Sequence, residues 1–458
     1  MEWLALLMFI CVCLILLSGY PVAFSLAGTG ILFALIGVQM ELIHPAILKN
    51  AGSRLFGIIQ NPTLIAVPLF IFMGGMLEKS KIADKLLTGI AHLMGDRPAG
   101  LPISVVLVGA LLAASTGIVG ATVVTMGLIS LPIMLKNGYS SRLSTGVICA
   151  SGTLGQIIPP SIILVLLGDV IASANRDAGV SSNPMSVGDL FAGALLPGLL
   201  LVAMYILYLL INAKINPLDF KQQTETTKEA NSKTNPTANE KFSIQMIIAP
   251  IMLILLVLGS ILGGVATPTE AAALGAFGAI ILAVIYKEFN LGRLKEVMQS
   301  TTRTSSMVFM ILIGASIFSL VFRAFHGDDA IEQLLINLPG GLPMAMLVVM
   351  STMFVLGFIL DFIEIVFVVV PLTAPVLLTL GADPVWLGIM IAVNLQTSFL
   401  TPPFGFALFY LRGVAPASVA TSQIYRGVLP FIAIQLFLLL MMSLWPEIVT
   451  WLPTQIYG

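Results

Sequence analysis

Charge is the scarcest component of this sequence. Of 458 residues only 9% are Asp, Glu, Lys or Arg, against roughly 25% in a soluble domain. A chain of this size cannot cover itself with so little polar surface, so a soluble globular fold is excluded. Histidines number 3 and cysteines 3. Cys11, Cys13 and Cys149 all lie in apolar runs without ligand spacing, which argues against a disulfide framework or a cysteine metal site. Strings of the form H-E-x-x-H or G-x-x-x-x-G-K-[ST] do not occur, nor does a Ser/Lys pair at membrane depth, so neither intramembrane enzymology nor ATP-driven work has its residues here. The net charge of −1 gives no electrostatic footing for a nucleic acid.

What the chain has instead is hydrophobicity, at 58% of residues and a mean hydropathy of +1.04. A bilayer needs roughly 20 apolar residues per helix. Apolar segments fall near 3–18, 21–38, 60–77, 100–135, 143–172, 190–213, 244–263, 269–286, 305–325, 341–381, 385–411 and 428–447. The first, MEWLALLMFICVCLILLSGY, lacks a basic leader and reads as a membrane helix rather than a signal peptide. Segments 100–135 and 341–381 are too long for one span and carry small or polar residues near their middles. Both are expected to be re-entrant helical hairpins. The fold class is therefore an all-α membrane protein, with about ten transmembrane helices plus two hairpins.

Residues 214–242, KINPLDFKQQTETTKEANSKTNPTANEKF, are polar and aperiodic, which predicts a solvated linker. The halves on either side echo each other. Pro21 with Gly28 recurs as Pro268 with Gly275, Pro132 as Pro375, and Pro159–Pro160 as Pro402–Pro403, at nearly constant offset. An internal repeat follows. It divides the chain into 1–213 (hairpin about 97–135, broken helix about 140–172), the linker 214–242, and 243–458 (hairpin about 340–381, broken helix about 385–411).

Basic residues set the orientation. With both termini outside and the hairpins re-entrant, 17 of the 21 Lys and Arg fall on the linker side, and only Lys49, Arg54, Arg176 and Arg323 on the other. Cytoplasmic loops favour Lys and Arg, so the linker is expected in the cytoplasm. The two repeats then run in opposite senses, an arrangement known among secondary transporters.

Two stretches should break their helices, CASGTLGQIIPPSIIL at 149–164 and VNLQTSFLTPPFGFAL at 393–408. Tandem prolines remove donors and push the preceding residue out of the α region. Carbonyls freed at membrane depth need a partner. Small polar residues sit just upstream, Ser151, Gly152, Thr153 and Gln156 in one copy, Asn394, Gln396, Thr397, Ser398 and Thr401 in the other. Carbonyls and neutral oxygens suit a hard monovalent cation such as sodium; a proline kink tied by Ser and Thr would use the same residues. The first hairpin tip, AASTGIVGATVVTMG, offers Ser115, Thr116, Gly117, Gly120 and Thr122, which also fit a small-residue packing face. The second, GFILDFIEIVF, offers Asp361 and Glu364, either as costly intramembrane carboxylates with a function or as solvated groups near the outer surface. Gln156, Pro159, Pro160, Glu364, Pro402 and Pro403 are expected near a transported molecule, and the remainder near the ion. Arg412 reads as an inside anchor, Glu270 as interfacial, and Asp169 and Arg176 as outer-loop residues.

At SGTLGQIIPPSI, GIVGAT, ATPTEAAALGA and TSFLTPPFGFALFY the chain resembles the large membrane (DctM-type, M) subunit of the TRAP transporters, the tripartite ATP-independent periplasmic transporters. The resemblance covers nearly the whole chain. It implies a bacterial inner-membrane protein driven by a sodium gradient, with no covalent cofactor. It implies two partners, a small four-helix membrane subunit (Q type) and a periplasmic substrate-binding protein (P type). It implies an elevator mechanism that moves hairpins and broken helices against a scaffold to import a small organic anion. The LDFIEIVF tip and long linker look like the branch associated with 2-oxo acids and similar carboxylates. The competing reading is a standalone ion-coupled carboxylate transporter with a similar hairpin fold.

Overall fold

A computed structural model describes residues 2–80, 97–117, 119–179, 185–220 and 245–458, with 86, 87, 89, 90 and 94 between them. No strand occurs among the described residues. The first half runs α1 (Glu2–Leu17), α2 (Val22–Gln39), α3 (Lys49–Gln60), α4 (Ala66–Lys79), α5 (Gly100–Thr116), α6 (Val119–Lys136), α7 (Ser141–Thr153), α8 (Ile162–Ala178) and α9 (Val187–Ile215). The second runs α10 (Gln245–Leu262), α11 (Pro268–Ile285), α12 (Leu291–Ala324), α13 (Gly327–Ile336), α14 (Gly341–Leu356), α15 (Phe362–Val368), α16 (Val370–Thr379), α17 (Pro384–Leu400), α18 (Phe406–Val414), α19 (Thr421–Leu444) and α20 (Glu447–Tyr457).

Among the described residues seven helices are long and apolar enough to cross a membrane. One of them, Val119–Lys136, is a hairpin arm. The other six, with α1, α10 and the two helices broken at their proline pairs, reach the ten spans read from the sequence. Large apolar side chains such as Trp3, Phe24, Leu32, Phe277 and Leu440 stand exposed around the body, as a lipid-facing surface requires and a water-facing one does not tolerate. The interior is mainly apolar but encloses a group of polar side chains: Ser144, Thr145, Ser151, Thr153, Gln156, Gln396, Thr397 and Ser398 are buried.

Capping residues place the helix starts. Ser140 Oγ accepts from Leu143 N at the head of α7, and Asp383 Oδ1 from Trp386 N at the head of α17, satisfying amides that have no partner within the helix. These caps stand at the offset that separates the two proline pairs. Thr267 with Glu270 and Ser186 with Asp189 form capping boxes on α11 and α9. Glu270, expected to be interfacial, thus closes a helix end.

The halves interlock by exchange. α2 packs on α12 while α11 packs on α4; α7 packs on α19 while α17 packs on α9; α16 packs on α8 while α18 packs on α6. Each pair is the other's counterpart under the repeat, which puts the sequence echo into three dimensions. The α7–α19 crossing is so close that a Cβ on Gly146 would collide with the Gly427 carbonyl, and one on Gly427 with the Arg142 carbonyl. Residues 214–220, expected to begin the linker, stay on the body. α9 continues to Ile215, Phe220 is buried against the Tyr139 ring at 6.2 Å, and Ser140 N donates to the Asp219 carbonyl. Residues 221–244, the rest of the linker, lie outside the described residues.

Candidate functional site

Both long apolar segments fold as helix–turn–helix. The first turns at Gly117, whose φ of +59° is one that L side chains rarely adopt. The second turns over residues 357–361, and its returning arm bends by 55° between α15 and α16. Both proline pairs break their helices: α7 gives way to a short 3-10 turn, Leu154–Gln156, before α8, and α17 stops at Leu400 before α18. Both pairs are joined by cis peptide bonds. Pro159 and Pro160 are buried, whereas Pro403 and Phe404 are exposed. The first break is therefore enclosed by protein and the second reaches the edge of the body.

Each hairpin tip meets a break. A Cβ on Gly117 would lie 3.0 Å from Ile162 N, at the restart of the first broken helix. Gly120 faces the Tyr410 ring on α18, a contact that sequence reasoning missed although Tyr410 lies in the TPPFGFALFY string. Gly109 seats Ser151, and Gly152 seats Val123, so α7 is clasped by both arms of the first hairpin. The second hairpin is held by α17. Asn394 Nδ2 donates to the Met350 carbonyl at 2.9 Å and Ser398 Oγ to the Phe354 carbonyl at 2.7 Å. Phe362 packs on Phe399, which packs on Phe406, joining the tip to both sides of the second break.

The hydroxyl groups upstream of the breaks direct their protons into the backbone. Ser151 Oγ donates to Ile148 O, Thr153 Oγ1 to Ala150 O, Thr397 Oγ1 to Val393 O and Thr401 Oγ1 to Thr397 O, at 2.7–3.2 Å. A hydroxyl that has donated still holds lone pairs, so these oxygens can turn only acceptor character outward. Thr122 is buried in the same region. The side chains of Ser115 and Thr116 lie outside the described residues.

The two carboxylates at the second tip cap it. Asp361 is the N-cap of α15 and accepts from Phe362 N at 2.7 Å; Glu364 reaches back to Asp361 N at 3.1 Å. Asp361 therefore does not share a helical face with Glu364, because it precedes the helix. Arg412, in the last turn of α18, donates to the Val419 carbonyl. Asp169 and Arg176, expected in an outer loop, belong to α8.

Gln156 and Gln396 stand apart from the rest. Both are fully buried, and in both the amide nitrogen and the amide oxygen lack a protein partner among the described residues. Gln396 lies two residues from Asn394, about 200° around the helix, so it faces away from the carbonyl that Asn394 engages. α17 also packs against residues 154–156, where Gln156 resides. The arrangement places unpaired amides and hydroxyl lone pairs at two chain breaks closed by two hairpin tips. Chemically it can take up a cation through oxygen and hold a polar solute by hydrogen bonds. Among the described residues it has no nucleophile–base pair.

Over residues 9–448 the chain matches the family described as "Tripartite ATP-independent periplasmic transporter, DctM component". It is 31% identical to the C4-dicarboxylate TRAP transporter large permease protein DctM of Vibrio cholerae, over 99% of this chain and 98% of that one. It is 30% identical to the isethionate TRAP transporter permease protein DctMQ of Oleidesulfovibrio alaskensis, over 94% of this chain and 65% of that one. It is 28% identical to the ectoine TRAP transporter large permease protein TeaC of Halomonas elongata, over 96% of each. The crystal structure of the Alcanivorax borkumensis YdaH transporter superposes with a TM-score of 0.62 at 13% identity, over 98% of this chain and 99% of that one, a likeness of fold.

Proposed function

This chain belongs to the DctM family of tripartite ATP-independent periplasmic transporters, a multi-pass large permease and not an enzyme, and from that premise we propose that it imports a small organic anion by sodium coupling. The import crosses the bacterial inner membrane. It requires a small four-helix membrane subunit and a periplasmic binding protein that delivers the substrate. Both termini face the periplasm and the linker faces the cytoplasm. The relatives are named for a dicarboxylate, a sulfonate and a zwitterion, so the family alone leaves the substrate open; a carboxylate is the reading favoured by the LDFIEIVF tip.

The observation that carries this reading is the pair of fully buried, unpaired amides at Gln156 and Gln396 beside the two breaks. Four unmet polar atoms are expensive in a site that does nothing. A bound solute and its water would meet them. The hydroxyls of Ser151, Thr153, Thr397 and Thr401, already committed as donors, leave oxygen lone pairs for sodium. The substrate anion then sits beside the ions, and each half contributes one hairpin and one broken helix to the unit that moves. Substituting Thr153 or Thr397 with Val keeps the shape and removes the oxygen. Each variant is expected to reach the membrane in normal amount and to need several-fold more sodium for half-maximal uptake. Wild-type sodium activation in both would remove the hydroxyls from the ion sites.

A further inference from the structure

The basic residues that the charge pattern leaves on the side away from the linker do not scatter. Three of the four, Arg54, Arg176 and Arg323, line one cavity of about 390 Å³, together with Asn61, Asp169 and Asp177. That volume is within the range of small-molecule sites. The cavity lies between α3, α8 and the far end of α12, and the returning arm of the second hairpin completes the wall through Phe367 and Pro371. Arg293 begins α12 near the linker side, and Arg323 is in its last turn, about 45 Å further along at 1.5 Å per residue. The cavity therefore lies at the opposite end of α12 from Arg293, which the charge pattern assigns to the linker side.

Its charges are unevenly matched. Arg323 Nη2 pairs with Asp177 Oδ2 at 3.0 Å, and Asn61 Nδ2 donates to Asp169 Oδ1 at 2.8 Å. Arg54 and Arg176 form no ion pair among the described residues, although Arg176 is near enough to Asp169 to favour its charged form, and the Arg323 Nε is buried without a partner among them. Three guanidinium groups face two carboxylates, so the cavity carries one excess positive charge. Burial and the neighbouring Arg323 both act against the charged form of Arg54, and Asp177 offsets them only in part. An anion in the cavity would relieve that repulsion. Guanidinium groups hold carboxylates through paired N–H donors, and a partly enclosed site strengthens the attraction. α8 connects the cavity to the deep site: it restarts at Ile162 beside the first break and carries Asp169 and Arg176 toward the cavity.

We propose that this cavity is a vestibule site for a carboxylate-bearing small molecule, with Arg54 and Arg176 as its open guanidinium ligands, distinct from the site at the breaks. The ligand class rests on the function proposed above; the site rests on the cavity and its charges. The probes are succinate, 2-oxoglutarate and the uncharged diamide succinamide, titrated calorimetrically into the full chain in nanodiscs without sodium. Wild type is expected to bind at least one of the two carboxylates, more weakly as salt rises, and not succinamide. Arg54→Gln with Arg176→Gln should weaken binding at least about tenfold. Arg54→Lys with Arg176→Lys should retain most of it, and Lys49→Gln, at the one basic residue of that side that does not line the cavity, should leave it unchanged. No sodium-free carboxylate binding by wild type, equal binding of succinamide, or unchanged affinity in the Gln pair would overturn the site. Sodium-driven uptake without vestibule binding would refute this inference alone. Vestibule binding without sodium-driven uptake would refute the function alone.

Discussion

A buried polar atom without a partner costs roughly 1–3 kcal/mol, and Gln156 and Gln396 each leave two such atoms unmet. If these amides serve a transported solute, replacing them should trade function for stability. Gln156→Leu and Gln396→Leu are expected to raise the unfolding free energy by about 1–3 kcal/mol each and to cut uptake at least tenfold, about the effect of losing one such bond. Denaturation in nanodiscs beside an uptake assay reads both; a variant that loses stability and keeps transport contradicts the assignment. Gln156 and Gln396 were legible in the sequence as polar residues near proline pairs, but their lack of partners was not, since pairing is decided by distant segments. The Asp361–Glu364 box was legible as a D-x-x-E start of a helix, and the structure gives both carboxylates that capping work. The vestibule arginines were legible only as the minority side of a charge count. Arg54, Arg176 and Arg323 have no spacing that a motif could capture, and only the fold gathers them.

Elements here are positioned by contacts that side chains would obstruct. Gly146 and Gly427 let α7 and α19 cross backbone to backbone, which fixes the first broken helix against the second half. Gly146→Ala drives a Cβ into a carbonyl and is expected to destabilise by about 1–3 kcal/mol, the usual cost of overpacking. Gly259→Ala in α10 meets nothing within 4 Å and should be neutral or slightly stabilising, as Ala is the better helix former. Thermal unfolding of the two variants beside wild type checks the difference; equal melting points would mean that the crossing gives readily. Hairpins and breaks were legible from segment length and tandem prolines. The exchange of hairpin arms between halves was not. It is a property of how two similar units dock, and periodicity within either unit contains no record of it. For the same reason the linker boundary fell short: Phe220 is apolar within a polar stretch and finds Tyr139 on the body.

For the whole molecule the proposal couples sidedness to energy. In the proposed topology 17 of the 21 basic residues fall on the linker side, and a linker in the cytoplasm follows from the proposal. A cysteine at Lys228 is expected to resist an impermeant maleimide in intact cells and to react after permeabilisation; labelling from outside would invert the orientation and with it the vestibule. Moving one charge through 100 mV releases about 2.3 kcal/mol, so one or two sodium ions beyond charge balance can concentrate an anion many-fold. The chain has no large polar domain to capture solute from dilute solution; its longest polar stretch is 214–242. In the proposed cycle capture falls to the binding protein, and the permease supplies the gated path. The most direct measurement is radiolabelled uptake by proteoliposomes holding this chain and its small membrane partner, with an inward sodium gradient and no ATP. The expected result is accumulation only when both the binding protein and the gradient are present. Robust uptake without the binding protein, or with potassium in place of sodium, would contradict the account.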